Sequence, residues 1–127
     1  MSRITVDLRS RTPIFEQIIS SVRELVILGI MLPDEPLPSV RSLAAELAIN
    51  PNTIQKAYAE LERQGVIYSL AGRGNFVSSD TSELCSEHRK MLVRNAVESA
   101  LEAAGHGVDK DEILAAVKNA LEGGKSK

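Results

Sequence analysis

Asn52, Thr53, Gln55 and Lys56 lie within one run, A-I-N-P-N-T-I-Q-K-A-Y-A-E-L, from Ala48 to Leu61. A carboxamide can pair with N6 and N7 of adenine. A threonine offers a hydroxyl and a methyl for thymine, and an ammonium suits a phosphate. The competing reading is an ordinary solvated helix face. Ile54, Ala57, Tyr58 and Leu61 fall at i, i+3, i+4 and i+7, which is one apolar stripe of an amphipathic helix. A helix anchored through that stripe holds the four polar side chains outward, and recognition helices read with their first turn. Asn50 reads as the N-cap and Pro51 as the first helical residue. A helix N-terminus at Asn50 also favours a phosphate. Tyr58 belongs to the core, with its hydroxyl either enclosed or reaching a phosphate.

Arg41 adds a guanidinium just past the cap of a preceding short helix. It can bond a phosphate or guanine O6 and N7 in bidentate fashion, or form a surface salt bridge to Glu46 or Glu35. Ser39 either caps that helix or contacts a phosphate. Arg73 stands between two glycines at a turn. It either enters a minor groove or meets the backbone, or it is a solvated turn residue. Gly72 beside it permits close approach of a backbone, and turn geometry alone also calls for it.

The elements that must position these groups follow from periodicity and punctuation. Residues 3–8 alternate apolar and polar and form a short strand or an ordered arm. Thr12-Pro13 reads as N-cap and first helical residue, opening a helix that runs to Leu28 and ends at Gly29. Pro33, Pro36 and Pro38 make the next segment a stiff loop. Ser39 opens a helix with Val40, Leu43, Ala44 and Leu47 on one side. It ends near Ala48, and the helix from Pro51 runs to Gln64 and stops at Gly65. The tight corner between these two helices is helix-turn-helix geometry. Val66–Leu70 and Phe76-Val77, joined by A-G-R-G-N, form a hairpin, or wing. S-S-D-T-S at 78–82 is a linker. Capping boxes at 80–83 and 109–112 open two further helices, from about Ser82 to Ala104 and on to about Glu122. The first carries one apolar stripe that packs on the second, and G-G-K-S-K is a frayed tail.

Composition narrows the partners. With 127 residues and 43% apolar content, the chain can bury a core as one domain or one domain with an appendage. Aromatic residues are 3% with no Trp, which removes the stacking platforms of single-strand binders. The single cysteine, Cys85, excludes an internal disulfide framework and fits a reducing cytoplasm. No apolar run approaches ~18 residues, and Arg3, Asp7, Arg9 and Arg11 leave no signal-peptide core. Residues 1–77 carry eight basic and eight acidic side chains, which cancel, so a nucleic-acid case rests on where the charges lie. Cys85 and His88 are three apart on a helix, too few for a metal site without a partner motif. No nucleophile–base set or phosphate loop is present.

Taken in order, helix, proline loop, helix, corner, helix and glycine hairpin resemble the DNA-binding domain of GntR-type transcriptional regulators. The resemblance is carried by P-I-F-E-Q-I, by G-I-M-L-P-D-E-P-L-P-S-V-R-S-L-A, by N-P-N-T-I-Q-K-A-Y-A-E-L-E-R-Q-G-V-I and by G-R-G-N-F-V. It covers about residues 10–77 in one register. Asp34 stands where the family usually has glycine, and Asn75 where threonine is commoner. The remaining two helices are too short for the larger effector domains of the family. They resemble the YtrA-type subfamily, whose helical tail dimerises and whose members often repress neighbouring ABC-transporter genes.

The expected protein is mostly α with a small β-hairpin. Residues 1–78 form a winged helix-turn-helix DNA-binding domain and 79–127 a helical dimerisation region. The expected function is a homodimeric, cytoplasmic repressor of a palindromic double-stranded operator. Ser39, Arg41, Asn50, Asn52, Thr53, Gln55, Lys56, Gly72 and Arg73 meet the DNA. No enzyme activity, cofactor or metal is expected. A competing reading is a winged helix that has lost DNA binding and acts as a protein-interaction module. The cancelling charge of residues 1–77 favours it, and Arg41, Gln55, Lys56 and Arg73 stand against it. The tail is too small for an effector pocket of ~300 Å³ within one chain, which leaves a pocket between two copies open.

Overall fold

The computed structural model describes residues 3–123; most of the tail expected to fray, residues 124–127, lies outside them. The elements are α1 (Ile14–Ile27), α2 (Val40–Leu47), α3 (Pro51–Arg63), β1 (Ile67–Leu70), β2 (Gly74–Val77), α4 (Ser82–Gly105) and α5 (Lys110–Gly123). They fall into two compact units that part after Cys85. The break comes later than the linker at 78–82, because the first turn of α4 belongs to the first unit. Leu84 on that turn packs against the first unit's core.

In the first unit, residues 3–8 are an ordered arm, not a strand. Ile4 is fully buried. Gln17 bonds the arm with both ends of its carboxamide, accepting from the Asp7 N–H at 2.7 Å and donating to the Asp7 carbonyl at 3.0 Å. These side-chain bonds replace the ladder that a strand would need. The expected cap at Thr12 is displaced by one residue. Pro13 occupies the N-cap position of α1, with no side-chain cap. Proline's fixed φ and missing N–H suit it as well just outside the helix as just inside.

α2 and α3 begin as their sequences imply. The Ser39 hydroxyl oxygen accepts from the Ser42 N–H at 3.0 Å, and Asn50 Oδ1 accepts from the Asn52 N–H at 2.8 Å. The corner between them turns on Ala48, which takes a left-handed conformation at φ 56°. Ile18 and Val22 of α1, Leu43 of α2 and Ile54 and Leu61 of α3 are completely buried in one cluster. Each such side chain contributes about 1.5–3 kcal/mol.

The wing starts one residue later than expected. The Val66 N–H closes the end of α3 on the Leu61 carbonyl at 3.0 Å, so it is not free for a ladder. β1 and β2 pair antiparallel, Ile67 opposite Val77 and Leu70 opposite Gly74. The turn uses Gly72 at φ 77° and Gly74 at φ 105°. The proline loop runs along the other side of β2. The Asp34 N–H donates to the Val77 carbonyl, the Val77 N–H to the Glu35 carbonyl, and the Leu37 N–H to the Asn75 carbonyl, each at 2.9 Å.

The second unit is a helical pair with no buried residue on either helix. The expectation that one apolar stripe packs its helices on each other holds only near their turn, where Ala100, Ala103 and Ile113 are half-covered. Leu92, Val97, Leu101, Leu114 and Leu121 are exposed. The apolar residues of α4 do not form one stripe. At 3.6 residues per turn, Leu92 and Leu101 project from opposite sides. The expected capping boxes are replaced by tighter Asx bonds: Asp80 Oδ1 accepts from the Ser82 N–H at 2.9 Å, and Asp109 Oδ2 from the Asp111 N–H at 3.0 Å.

Candidate nucleic-acid interface

α2 and α3 pack on each other, and one partly buried bond ties their junction. The Tyr58 hydroxyl on α3 donates to the Pro38 carbonyl, just ahead of α2, at 2.7 Å. Tyr58 is buried, and burial pushes its phenol well above the ordinary tyrosine range. This corrects the reading in which that hydroxyl reaches a phosphate. Tyr58 acts as a brace between the helices carrying Arg41 and Gln55. Its place on the apolar stripe was legible; the partner of its hydroxyl, twenty residues away, was not.

Arg41 is exposed on the first turn of α2 and makes no ion pair among the described residues. Glu35, one of its two rival partners, is engaged by Arg3 and also accepts from the Leu32 N–H at 2.9 Å. Those two bonds hold the Glu35 carboxyl below its ordinary range, the backbone bond more than Arg3. Asn52, Gln55 and Lys56 are exposed on α3, and Thr53 is half-buried. Ser39 and Asn50 are committed to capping, which orients the first turns of both helices.

Gln55 and Gly72 come together across an open groove of about 580 Å³ between α3 and the wing. Arg73 is exposed at the wing's turn, where its N–H donates to the Leu70 carbonyl at 2.9 Å. The wing is tied to α3 by a bond not expected from the sequence: the Ser69 hydroxyl donates to Glu62 Oε2 at 3.0 Å. A β1 serine facing an α3 glutamate carries no local signal, because the pairing depends on where the hairpin folds back.

The charge balance is uneven in use. Glu60 is paired with Arg63 and accepts from Gln64, and these bonds bring its carboxyl down to about 2. Glu35 is paired with Arg3, and Glu62 is bonded to Ser69. Arg41, Lys56 and Arg73 have no such acidic partner among the described residues. A neutral sum therefore leaves three uncommitted cations on α2, α3 and the wing, where a polyanion can use them. Among the described residues, Cys85 and His88 gain no third ligand for a metal. No helix among these residues is long and apolar enough to cross a membrane.

Known proteins share both this sequence and this shape. Residues 14–77 match the model of the bacterial regulatory proteins of the gntR family. The chain is similar to the HTH-type transcriptional repressor YtrA of Bacillus subtilis (strain 168), at 40% identity over 126 residues, covering 96% of this chain and 97% of that protein. It is also similar to the crystal structure of a transcriptional regulator from Oenococcus oeni. There the TM-score is 0.82 at 29% identity, covering 91% of this chain and 97% of the other. A third similarity is to the DNA-binding domain of AraR in complex with operator ORX1. It has a TM-score of 0.55 at 26% identity, over 61% of this chain and 100% of that one.

Proposed function

The chain belongs to the gntR family of bacterial regulatory proteins, winged-helix transcriptional regulators that bind DNA and are not enzymes, and on that premise we propose that it is a cytoplasmic repressor acting as a homodimer on a palindromic operator. In this reading α3 enters the major groove. Asn52, Thr53 and Gln55 meet base edges there, and Lys56 meets the backbone. Arg41 bonds a phosphate or a guanine from the first turn of α2. Arg73 and the backbone at Gly72 approach the flanking minor groove or its phosphates. Ser39 and Asn50 direct helix N-termini, with their partial positive charge, at the phosphates. The observation that carries this reading is the set of uncommitted donors on α2, α3 and the wing, beside acids that are engaged elsewhere.

The dimer is supported by the second unit. Its helices leave leucines and valines exposed on several sides, apolar surface of the kind that a second copy would cover. A two-fold pair of chains implies a two-fold operator, with half-sites about one helical turn apart. The YtrA-type resemblance further supports control of a neighbouring ABC-transporter operon.

Arg41→Ala tests the interface directly. In a titration at fixed salt against an operator enriched from random DNA, the variant is expected to lose about 1–3 kcal/mol of affinity, the scale of one bidentate contact. Binding equal to wild type would remove Arg41 from the interface.

A further inference from the structure

Asp34 joins three segments that are far apart in the chain. It adopts φ 66°, a left-handed conformation that aspartate tolerates better than most residues. Its N–H donates to the Val77 carbonyl at the end of β2, at 2.9 Å. Its Oδ1 accepts from the Tyr68 hydroxyl of β1 at 2.8 Å and from the Ser79 hydroxyl at 2.6 Å. Ser79 and then Tyr68 hold this carboxyl below the usual aspartate range. Tyr68 is itself steadied by stacking on Phe76, with ring centroids 5.6 Å apart. Proline loop, wing and linker therefore meet at one carboxylate oxygen.

Ser79 is the informative partner. It lies in the linker through which the chain leaves the wing for α4. The backbone of that linker is already held by the Ser78 N–H on the Val66 carbonyl at 2.9 Å. The Ser79 bond is a second, lateral restraint, made by a side chain to a different segment. It is solvent-exposed, and exposed polar bonds add little to stability. With Leu84 on the first turn of α4 packed against the same unit's core, its effect is to narrow further the directions in which the chain can leave.

We infer that Asp34 is a positioning residue for operator spacing: by holding Ser79 against the base of the wing, it limits which half-site separations the protein accepts. This rests on the homodimer reading above. In such a dimer the chain path from one recognition helix to the other runs through both linkers. One added base pair moves a half-site by about 3.4 Å along the duplex axis and rotates it by about a tenth of a turn. A loosely held linker follows that displacement, and a restrained one resists it.

The test uses the full chain and a palindrome enriched from random DNA by the wild-type protein. Versions with one or two base pairs added to or removed from its centre are titrated by fluorescence anisotropy at fixed salt, with sedimentation to establish the dimer. Wild type is expected to bind altered spacings about tenfold more weakly, comparable to one mismatched base pair. Asp34→Gly keeps the left-handed backbone open to it and removes both acceptor bonds. It is expected to bind the original palindrome within about twofold of wild type, and to reduce the penalty on altered spacings to about threefold. Ser79→Ala should match it, which guards against a folding defect at Asp34. Asp34→Asn retains an acceptor at Oδ1 and should restore the wild-type profile. Dimeric Asp34→Gly and Ser79→Ala with the wild-type spacing profile, or a wild type indifferent to spacing, would overturn this inference alone. A monomeric wild-type chain would overturn the homodimer reading and this inference together.

Discussion

The two units of this protein treat the same kinds of residue in opposite ways. In the first, Ile18, Val22, Leu43, Ile54 and Leu61 have no exposure at all; in the second, Leu101, Leu114 and Leu121 stay more than 60% exposed. Composition does not separate them, since both are helical and rich in aliphatic side chains. Arrangement does. The first unit crosses three helices and a hairpin around one centre, so each apolar stripe finds another. The second has two helices, and two helices cannot cover more than one side of each other. The first unit closes around one core, and the second leaves its leucines exposed.

Substitutions can break or sharpen this contrast. The largest effect is expected from Ile54→Ala, which removes buried volume from the centre of the first unit. It should lower stability by about 2–5 kcal/mol in urea unfolding, by the same amount at every protein concentration. Leu101→Lys, under the dimer proposal, should leave unfolding of the first unit within about 0.5 kcal/mol and shift sedimentation toward the monomer. If the Ile54→Ala loss depended on concentration, or Leu101→Lys destabilised the first unit as much, the division between a closed and an open unit would fail.

A smaller effect is expected at the α2–α3 junction. Tyr58→Phe removes one partly buried hydrogen bond, worth about 0.5–1.5 kcal/mol. It should also change the alkaline limb of the stability curve. The folded-state value of this phenol lies above its unfolded value, which is about 10. The folded protein therefore holds this proton more tightly. Its contribution is full below about pH 10 and is lost as pH rises from there through the folded value. Unfolding measured across that window should slope downward in wild type and less steeply in Tyr58→Phe. An unchanged slope would mean that this hydroxyl is not the group responsible.

The smallest effect is expected at the corner. Ala48 is left-handed without being glycine, at a cost of roughly 1–2 kcal/mol. Glycine relieves that cost but loses more chain entropy, by about 0.4–1 kcal/mol. Ala48→Gly should therefore raise the melting temperature slightly; a drop would show that the alanine methyl contributes packing that outweighs the backbone strain.

What could be read in the sequence follows the range of the forces involved. The caps at Ser39 and Asn50, the stops at Gly29 and Gly65 and the stripe of α3 depend on neighbours within a turn or two, and all were legible. So was the exposure of Arg41, Gln55 and Lys56, which periodicity alone dictates. The start of α1 was off by one residue, because proline is suited to both sides of a helix boundary. Residues 3–8 alternate as a strand does, but alternation does not reveal whether a partner edge exists. Tyr58 with Pro38, Ser69 with Glu62 and Asp34 with Ser79 were not legible, since each pair is brought together only by the completed fold. The single stripe expected on α4 failed for another reason. A helix that offers apolar groups on several sides has no one period to detect.

The proline loop running beside β2 has a further consequence, for what the wing does not do. A bare two-stranded ribbon is marginal in water, and its open edges invite strands from other chains. Here residues 34–37 occupy the outer edge of β2, and Pro36, bridged to Phe76, has no N–H to offer onward. The hairpin that carries Arg73 is thereby capped on one flank. On that flank it offers no bare ladder to a strand from another chain.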